Sequence, residues 1–189
     1  MTPTRESVRR GVSKAQWVEA ALEALTHGNV SEISIGNLAK ALGTSRSGFY
    51  WHFKDRDELL QELLDFWTHE ITETITGNPE LLRLDPMTRM IKAMEIVTNY
   101  DFSRHEIAIR QWAMNNESAA AAVEGATQKR VDYFRNALSE LGLDDNEVEM
   151  RATTAVCYYT WEPITYPNLS LEERRAMIKP RLKMIASGG

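Results

Sequence analysis

The chain has 189 residues, of which 43% are hydrophobic and 26% charged, and a formal net charge of −5, which is typical of a soluble globular protein with a substantial core. Its single cysteine, Cys157, excludes an internal disulfide and a cysteine-based zinc site, and it favours a reducing cytoplasm. No apolar run approaches the roughly 18 residues of a membrane span, so we expect a cytoplasmic protein without a membrane partner.

The first predicted helix begins at Ser13, which is a suitable N-cap residue. Gln16 lies three residues later and can reach back to the cap, as a capping box requires. Apolar residues then follow at helical spacing and give the helix one apolar face: Val18, Ala21, Leu22 and Leu25. Gly28 is predicted to end this helix.

Two shorter helices follow, joined by a tight turn that contains a glycine. The second helix begins near Ser34, and its apolar stripe consists of Ile35, Leu38, Ala39 and Leu42. Gly43 ends it, and Ser45 is the predicted N-cap of the third helix. Two helices joined in this way form the helix-turn-helix motif of DNA-binding proteins. The spacing alone fits an ordinary corner between two packed helices equally well.

Five consecutive rings, from Phe49 to Phe53, distinguish the third helix. With about 100° between successive residues, Phe49 and Phe53 lie about 40° apart and face the core. Tyr50 and Trp51 then project to the opposite side, and His52 lies at the margin. The outward side carries three more hydrogen-bond donors, which are Arg46, Ser47 and Lys54.

Large rings on a surface indicate a contact with another molecule. A face rich in donors suits the phosphates and base edges of a major groove, and a protein-contact patch is the alternative. The charge distribution is compatible with DNA, because residues 1–60 contain eight Lys or Arg and seven Asp or Glu. The acidic excess lies in the remaining 129 residues, with 14 basic and 20 acidic side chains.

A fourth helix is predicted to begin after Asp55, its N-cap, and to continue to about Gly77, with Arg56 directed outward towards a phosphate. Five more helices are predicted at about 86–100, 103–114, 117–141, 145–161 and 170–186. Pro163 and Pro167 are predicted to break the chain before the last helix. Convincing strand alternation is absent from the sequence, so the predicted fold class is all-α.

The segment ISIGNLAKALGTSRSGFYWHFKDRDELL resembles the DNA-binding segment of the TetR family of bacterial transcription regulators, whose motif typically reads t…iA…lGvs.gtlY.HF.sKe.Ll. The matching positions are Leu38-Ala39, Leu42-Gly43, Ser45, Tyr50, His52-Phe53 and Leu59-Leu60. Arg56 replaces the usual lysine. The resemblance implies an N-terminal three-helix bundle over residues 1–58, with the helix-turn-helix at about 34–53, and a C-terminal helical effector-binding and dimerisation domain over residues 59–189.

The resemblance also implies which residues contact DNA. Tyr50, His52 and Arg56 would hold the backbone, and Arg46 is the candidate for a bidentate guanine contact. Further candidates are Ser34, Thr44, Ser45, Ser47, Trp51 and Lys54. A homodimer would read a palindromic operator on double-stranded DNA, with half-sites about 34 Å apart. An N-terminal arm either adds contacts or is a solubilising tail; its basic residues are Arg5, Arg9 and Arg10.

In this family, two long C-terminal helices pair with those of a second copy. The resemblance therefore implies a dimer interface whose residues within 117–141 and 145–165 are Tyr133, Phe134, Leu138, Leu141, Val148, Ala152, Ala155, Val156 and Tyr159. Internal packing of the same faces is the alternative. Candidates for binding an unknown effector, expected to be apolar or aromatic, are Phe66, Trp67, Met90, Met94, Tyr100, Trp112, Tyr158 and Trp161. For each of these, an ordinary place in the core is the alternative.

The sequence does not indicate an enzyme. The four histidines lack metal-ligand spacing, and nucleophile elbows and glycine-rich phosphate loops are absent. We therefore predict no catalytic residue, metal or cofactor, although His69 or His105 could hold a metal-chelated ligand, as histidines do in some family members. The predicted function is a dimeric repressor released from its operator by an effector, with a protein-interaction module as the rival.

Overall fold

Every regular element is a helix within residues 11–100 and 103–187, which the computed structural model describes. The predicted all-α fold class is confirmed. None of these helices combines the length and the apolar character that crossing a bilayer requires. The basic arm with Arg5, Arg9 and Arg10 lies outside the described residues.

The chain divides into two compact units, the first ending at Leu63 and the second beginning at Leu64. The division falls inside a helix, a few residues after the position expected from the sequence. The first unit consists of a 3₁₀ turn, Val30–Glu32, and the helices α1 (Lys14–His27), α2 (Ile35–Ala41), α3 (Arg46–Phe49) and the beginning of α4 (Arg56–Thr68).

Most local signals act as the sequence predicts, but Ser45, although it stands at the N-cap position of α3, makes no capping hydrogen bond with its side chain. Ser13 and Gln16 form the capping box of α1, and the Ser34 side chain caps α2 by accepting a hydrogen bond from the Asn37 backbone N–H. Gly43 follows α2 with φ of +63°, a left-handed conformation that costs glycine little. The Asp55 carboxylate accepts a hydrogen bond from the Glu58 backbone N–H (2.9 Å), as expected of the N-cap of α4.

The aromatic run divides as predicted, with its two phenylalanines inward. Phe49 is 0% exposed and Phe53 is 2% exposed, whereas Tyr50 is 60% and Trp51 is 86% exposed. The Phe49 ring stacks on Phe53 at 5.0 Å and meets the edge of Trp17 at 5.4 Å between centroids. Three buried rings therefore hold α1 against the end of α3.

The third helix is shorter than predicted. Regular α-helix ends at Phe49, and Tyr50 to His52 form a turn in which the His52 and Phe53 backbone N–H groups both donate to the Phe49 carbonyl. The chain then extends to reach Asp55 and the start of α4. The tight turn keeps Phe53 in the same core as Phe49, while Tyr50 and Trp51 remain outside and His52 is half-buried.

The second unit contains the rest of α4 and seven further helices. The α4 helix passes into a π-helical segment, His69–Glu73, before α5 (Thr74–Thr76), so the predicted long fourth helix is present but interrupted. The other elements are α6 (Pro79–Leu82), α7 (Pro86–Tyr100), α8 (Ser103–Ala113), α9 (Glu117–Glu140), α10 (Asp145–Thr165) and α11 (Leu171–Ala186). The α9 helix packs against α7, α8 and α10, and α7 packs against α11.

The predicted helix break at Pro163 is wrong. The α10 helix continues through this residue and ends at Thr165, where the Tyr166 backbone N–H donates to the Glu162 carbonyl at 2.8 Å. Pro163 removes one backbone donor, so the Tyr159 carbonyl loses its normal helical partner. The helix tolerates this loss one turn from its end.

The faces proposed from the sequence for dimerisation are mostly internal. Eight of the nine residues lie in the second unit's own core or pack against it: Tyr133, Phe134, Leu138, Val148, Ala152, Ala155, Val156 and Tyr159. Leu141 is exposed. These small and aromatic residues let α9 and α10 approach each other within one chain, which is the alternative interpretation of the same pattern.

We expect Phe49→Ala and Trp51→Ala to differ sharply in stability. Removing the buried Phe49 ring should lower the free energy of unfolding by about 3–5 kcal/mol, because apolar burial is reduced and a cavity remains. Removing the exposed Trp51 ring should change it by no more than about 0.5 kcal/mol. Urea titration followed by circular dichroism would measure both, and equal losses of stability would contradict the inward and outward assignment.

Candidate nucleic-acid interface and ligand cavity

The exposed side of α3 and the following turn form one continuous donor-rich surface, which we call the reading face. Its rings are Tyr50 and Trp51, and the Lys54 side chain beside them is almost fully exposed. The Ser45 and Ser47 hydroxyl oxygens lie 2.8 Å apart at the start of α3, and both residues are exposed. Phosphate oxygens and base edges accept hydrogen bonds from hydroxyl, indole N–H and ammonium groups.

Arg46 lies close to Gly36 of α2. A Cβ atom built on Gly36 would be 2.6 Å from Nη2 of Arg46, closer than real atoms approach, so the glycine leaves room for the guanidinium. Arg46 itself is exposed. The predicted guanine-contacting side chain therefore rests on the first helix of the helix-turn-helix while its charge remains accessible.

Arg56 does not point outward as the sequence predicted. Its Nε donates to the Ile33 carbonyl at 2.7 Å, and its Nη2 donates to the Val30 carbonyl. The guanidinium thus fastens the 3₁₀ turn before α2 to the start of α4. It is only one-third exposed, which leaves less of it for a phosphate than the prediction assumed.

His52 is also engaged inside the unit. Its Nε2 lies 2.8 Å from the Val12 carbonyl oxygen, and because that oxygen can only accept, Nε2 carries the proton. The ring therefore holds the segment before α1. Of the remaining candidates, Thr44 is half-buried and Ser34 caps α2. The DNA-binding candidates therefore all lie in the first unit, between the N-cap of α2 and the first residue of α4.

The second unit contains a partly enclosed cavity of about 110 Å³. The π-helical segment and helices α5, α7, α8, α9, α10 and α11 contribute to its walls. Its apolar wall consists of Ile71, Ile75, Met94, Val97, Phe134, Val156 and Pro163. Charged and hydroxyl-bearing side chains complete the lining, among them Glu106, Arg130, Glu162 and Arg174.

Glu106 is the centre of one polar cluster in the cavity wall. It is buried, and Arg130 binds both its carboxylate oxygens, at 2.9 and 3.1 Å, while Arg110 donates to Oε1 at 2.8 Å. Arg130 also donates to the Thr72 hydroxyl at 3.0 Å and lies 5.6 Å from the centroid of the Trp67 ring. The cluster joins α8, α9 and the π-helical segment.

Glu162 is the centre of a second polar cluster. This buried carboxylate accepts hydrogen bonds from Arg181 at 2.5 Å, from the Tyr158 hydroxyl at 2.9 Å and from Arg174 at 3.4 Å. Burial raises the pKa of Tyr158 to about 12, and the hydrogen bond to Glu162 acts in the same direction. The phenol therefore remains a donor at neutral pH.

Two tyrosines line the cavity, and they differ in how their hydroxyls are satisfied. The Tyr133 hydroxyl donates to the Arg89 carbonyl at 3.2 Å, and burial raises its pKa to about 12. The Tyr159 hydroxyl is buried and has no hydrogen-bond partner in the described part of the chain. Burial raises the pKa of Tyr159 as well, so its proton is available for donation.

The predicted ligand-binding residues are scattered relative to this cavity. Met94 lines it, Trp67 underlies Arg130, and Tyr158 binds Glu162 behind the lining. The other candidates are the buried Met90 and Trp112, the half-buried Phe66, and the exposed Tyr100 and Trp161.

Sequence reasoning missed the charged lining residues. A usable signal was present, since Glu106, Arg130 and Glu162 each lie three residues from a buried or half-buried apolar residue: Ile109, Tyr133 and Tyr159. A charged side chain on the apolar stripe of a helix requires a partner or a ligand.

Within residues 11–100 and 103–187 we find no cluster of three or more His, Cys, Asp or Glu side chains that could bind a metal ion.

Residues 18–63 match the model of the family described as bacterial regulatory proteins, tetR family. The HTH-type transcriptional regulator AcrR of Shigella flexneri is 39% identical over 64 residues, which cover 34% of this chain and 27% of that protein. The HTH-type transcriptional regulator TtgR of Pseudomonas putida is 33% identical over 88 residues, covering 46% and 41% of the two chains. The aligned regions therefore span less than half of these relatives.

Solved structures resemble a larger part of the chain. A transcriptional regulator from Rhodococcus sp. Rha1 has a TM-score of 0.71 at 20% identity, covering 92% of this chain and 96% of that one. AibR in complex with isovaleryl coenzyme A and operator DNA has a TM-score of 0.65 at 16% identity, covering 90% and 96%. The match to the TetR family model is confined to residues 18–63, and the structural likeness shows a shared fold over both units.

Arg56→Ala should destabilise the first unit, whereas Lys54→Ala should not. Arg56 makes two charge-assisted hydrogen bonds to backbone carbonyls, so its loss should lower the free energy of unfolding by about 1.5–3 kcal/mol. Lys54 is exposed, and its loss should cost no more than about 0.5 kcal/mol. Urea titration of the two variants would show the difference, and equal stabilities would mean that Arg56 is free for another role.

Proposed function

We propose that this protein is a ligand-responsive DNA-binding transcription regulator that acts as a dimeric repressor. The single observation that carries the proposal is the reading face, where Tyr50 and Trp51 stand exposed over the buried Phe49 and Phe53. The match of residues 18–63 to the family model supports it independently. AibR, which is similar in fold, is described in complex with both a small molecule and operator DNA.

At the operator, we assign Tyr50, Trp51 and Lys54 to the phosphate backbone and Arg46 to a base edge. Backbone contacts position the protein and depend strongly on salt, whereas a bidentate arginine contact to guanine selects sequence. Arg56 and His52 act indirectly, because they fasten the 3₁₀ turn and the segment before α1. A regulator with this role works in the cytoplasm and needs neither a cofactor nor catalytic residues.

We assign the dimer interface to the exposed side of α10. Six residues at helical spacing form this uncharged stripe: Met150, Thr153, Thr154, Cys157, Trp161 and Ile164. An exposed helix face with rings, methyl groups and small side chains is typical of an interface with a second copy. This assignment replaces the residues proposed from the sequence, which the second unit uses for its own core.

The effector site is the cavity of the second unit. Its wall includes the π-helical segment that continues α4, and π-helical turns are frequent at functional sites. An effector that binds one conformation of the dimer better than another shifts the population towards it. The dimer is released from the operator when, in the favoured conformation, its two reading faces no longer match two adjacent half-sites.

We expect Lys54→Ala to weaken binding to any DNA and Arg46→Ala to weaken operator binding selectively. Lys54→Ala should reduce the slope of the logarithm of the binding constant against the logarithm of the salt concentration by about one for each phosphate that the protein no longer neutralises. Arg46→Ala should cost roughly 1–3 kcal/mol on the operator and relax preference at one base pair. Fluorescence anisotropy with the DNA upstream of the gene, between 50 and 200 mM salt, measures both effects.

Lys179→Ala is the matched control, because this lysine is exposed on α11. Its affinity for DNA should equal that of the unsubstituted protein. Wild-type binding should fall on the order of 10³-fold across this salt range. Wild-type protein that failed to shift this DNA, or any DNA at low salt, would favour the protein-interaction module.

The α10 stripe predicts that two copies of Cys157 come together in the dimer. Because this is the chain's single cysteine, a short bis-maleimide should yield a covalent dimer and no larger species. Cys157→Ser should abolish the product without changing the sedimentation coefficient. Trp161→Glu should yield monomers, whereas Met114→Glu, at another exposed apolar residue, should remain dimeric. A dimer that neither cross-links nor responds to Trp161→Glu would place the interface elsewhere.

A further inference from the structure

We infer that the cavity of the second unit binds a small carboxylic acid as its anion, with the carboxylate accepting hydrogen bonds from Tyr159 and Arg174. The inference concerns the effector's chemical class and rests on the proposed effector site. It follows from the charge of the cavity wall, from one unsatisfied hydroxyl, and from the size and apolar character of the remaining lining.

The charged side chains in and behind the cavity wall carry an excess of positive charge: the lining itself is balanced, and Arg110 and Arg181 behind it add two positive charges. The first polar cluster places Arg110 and Arg130 around Glu106, so two positive charges face one negative charge. The second cluster repeats this ratio with Arg174 and Arg181 around Glu162. Both glutamates are already neutralised, so a cationic ligand would find no free carboxylate there. An anion would lower the free energy of both clusters.

Tyr159 supplies a directed donor at the second cluster. Its hydroxyl is buried without a partner in the described residues, although a buried polar group normally has one. The centroid of the Tyr159 ring lies 5.5 Å from that of Tyr158, whose hydroxyl binds Glu162, so the phenol of Tyr159 lies beside the second cluster. A ligand oxygen at this position would satisfy the hydroxyl, and leaving it unsatisfied carries a continuing cost in stability.

Arg174 lines the same cavity as Tyr159 and is held there by its own hydrogen bonds. Its Nε donates to the Leu169 carbonyl at 3.2 Å and its Nη2 to the Tyr166 carbonyl at 3.0 Å, which fix the guanidinium in place. Its bond to Glu162 is long, at 3.4 Å. A guanidinium has five N–H donors, so Arg174 retains donors for a carboxylate beside Glu162.

The rest of the lining limits the ligand's size and polarity. Isoleucine, valine, methionine and phenylalanine side chains form the wall between the two clusters, so the ligand's body is apolar. The cavity of about 110 Å³ is well below the roughly 300–1,000 Å³ of a drug-sized site. A short fatty or aromatic acid fits this description, and a coenzyme thioester does not.

Calorimetry on the full-length protein without DNA tests the inference with a matched series of probes. Straight-chain acids from butanoate to octanoate should bind, with one chain length optimal. The amide and the amine of that length should bind about tenfold more weakly or not at all, since they lack the anionic acceptor. The corresponding acyl coenzyme A is the fourth probe and should not bind.

The variant Tyr159→Phe separates the inferred role from a structural one. It should lose about tenfold in affinity for the best acid, because one hydrogen bond to a charged group is removed. The melting temperature of the free protein should stay the same or rise by a few degrees, since the unsatisfied hydroxyl is gone. Tyr166→Phe, at an exposed ring that is not part of the lining, is the matched control and should bind the acid normally.

The outcomes distinguish this inference from the proposed function. Equal binding of the acid and its amide, unchanged affinity in Tyr159→Phe, or no acid bound at millimolar concentration would overturn the inferred ligand class and leave operator binding intact. If the acid binds and Tyr159→Phe weakens it, but saturating acid does not release operator DNA, the ligand class stands and the effector-controlled release is wrong.

Discussion

The stacked pair of Phe49 and Phe53 under the edge of Trp17 is the constraint on which the first unit depends. The two rings are four positions apart, so one turn of chain lies between them. Because both rings are buried, the first two residues of that turn present their side chains outward, whereas His52 turns back to the segment before α1. Tyr50 and Trp51 are exposed for this reason. The burial of the two phenylalanines therefore both stabilises the first unit and directs the reading face towards solvent.

The charged side chains of the first unit differ in how available they are to an external ligand. Arg56 binds two backbone carbonyls and Arg46 rests against Gly36, whereas Lys54 extends into solvent. Carbonyls at the end of a short 3₁₀ turn need donors, and a planar guanidinium can satisfy two at once. Arg56, which the family resemblance assigns to a phosphate contact, therefore also stabilises the fold of the first unit.

The second unit places charge in its interior at the point where its helices surround a cavity. Glu106 and Glu162 are buried, and each is surrounded by two arginines. Removing such groups from water is costly, and the arrangement persists because the hydrogen bonds are numerous and well directed. The resulting positive excess and the unsatisfied Tyr159 hydroxyl give the cavity a chemical preference that its apolar residues alone would not have.

The main helices, most of their caps and the buried side of α3 follow from contacts between residues a few positions apart, so they could be predicted from the sequence. The resemblance to the TetR family likewise came from residue types at fixed spacing around Tyr50 and Phe53. The inward position of Arg56, the continuation of α10 through Pro163 and the meeting of Glu106 and Glu162 with their arginines at one cavity depend instead on tertiary packing. Helical periodicity reports that a face is apolar or interrupted by charge, but the partner comes from a distant helix. Which helix that is depends on how the whole unit packs.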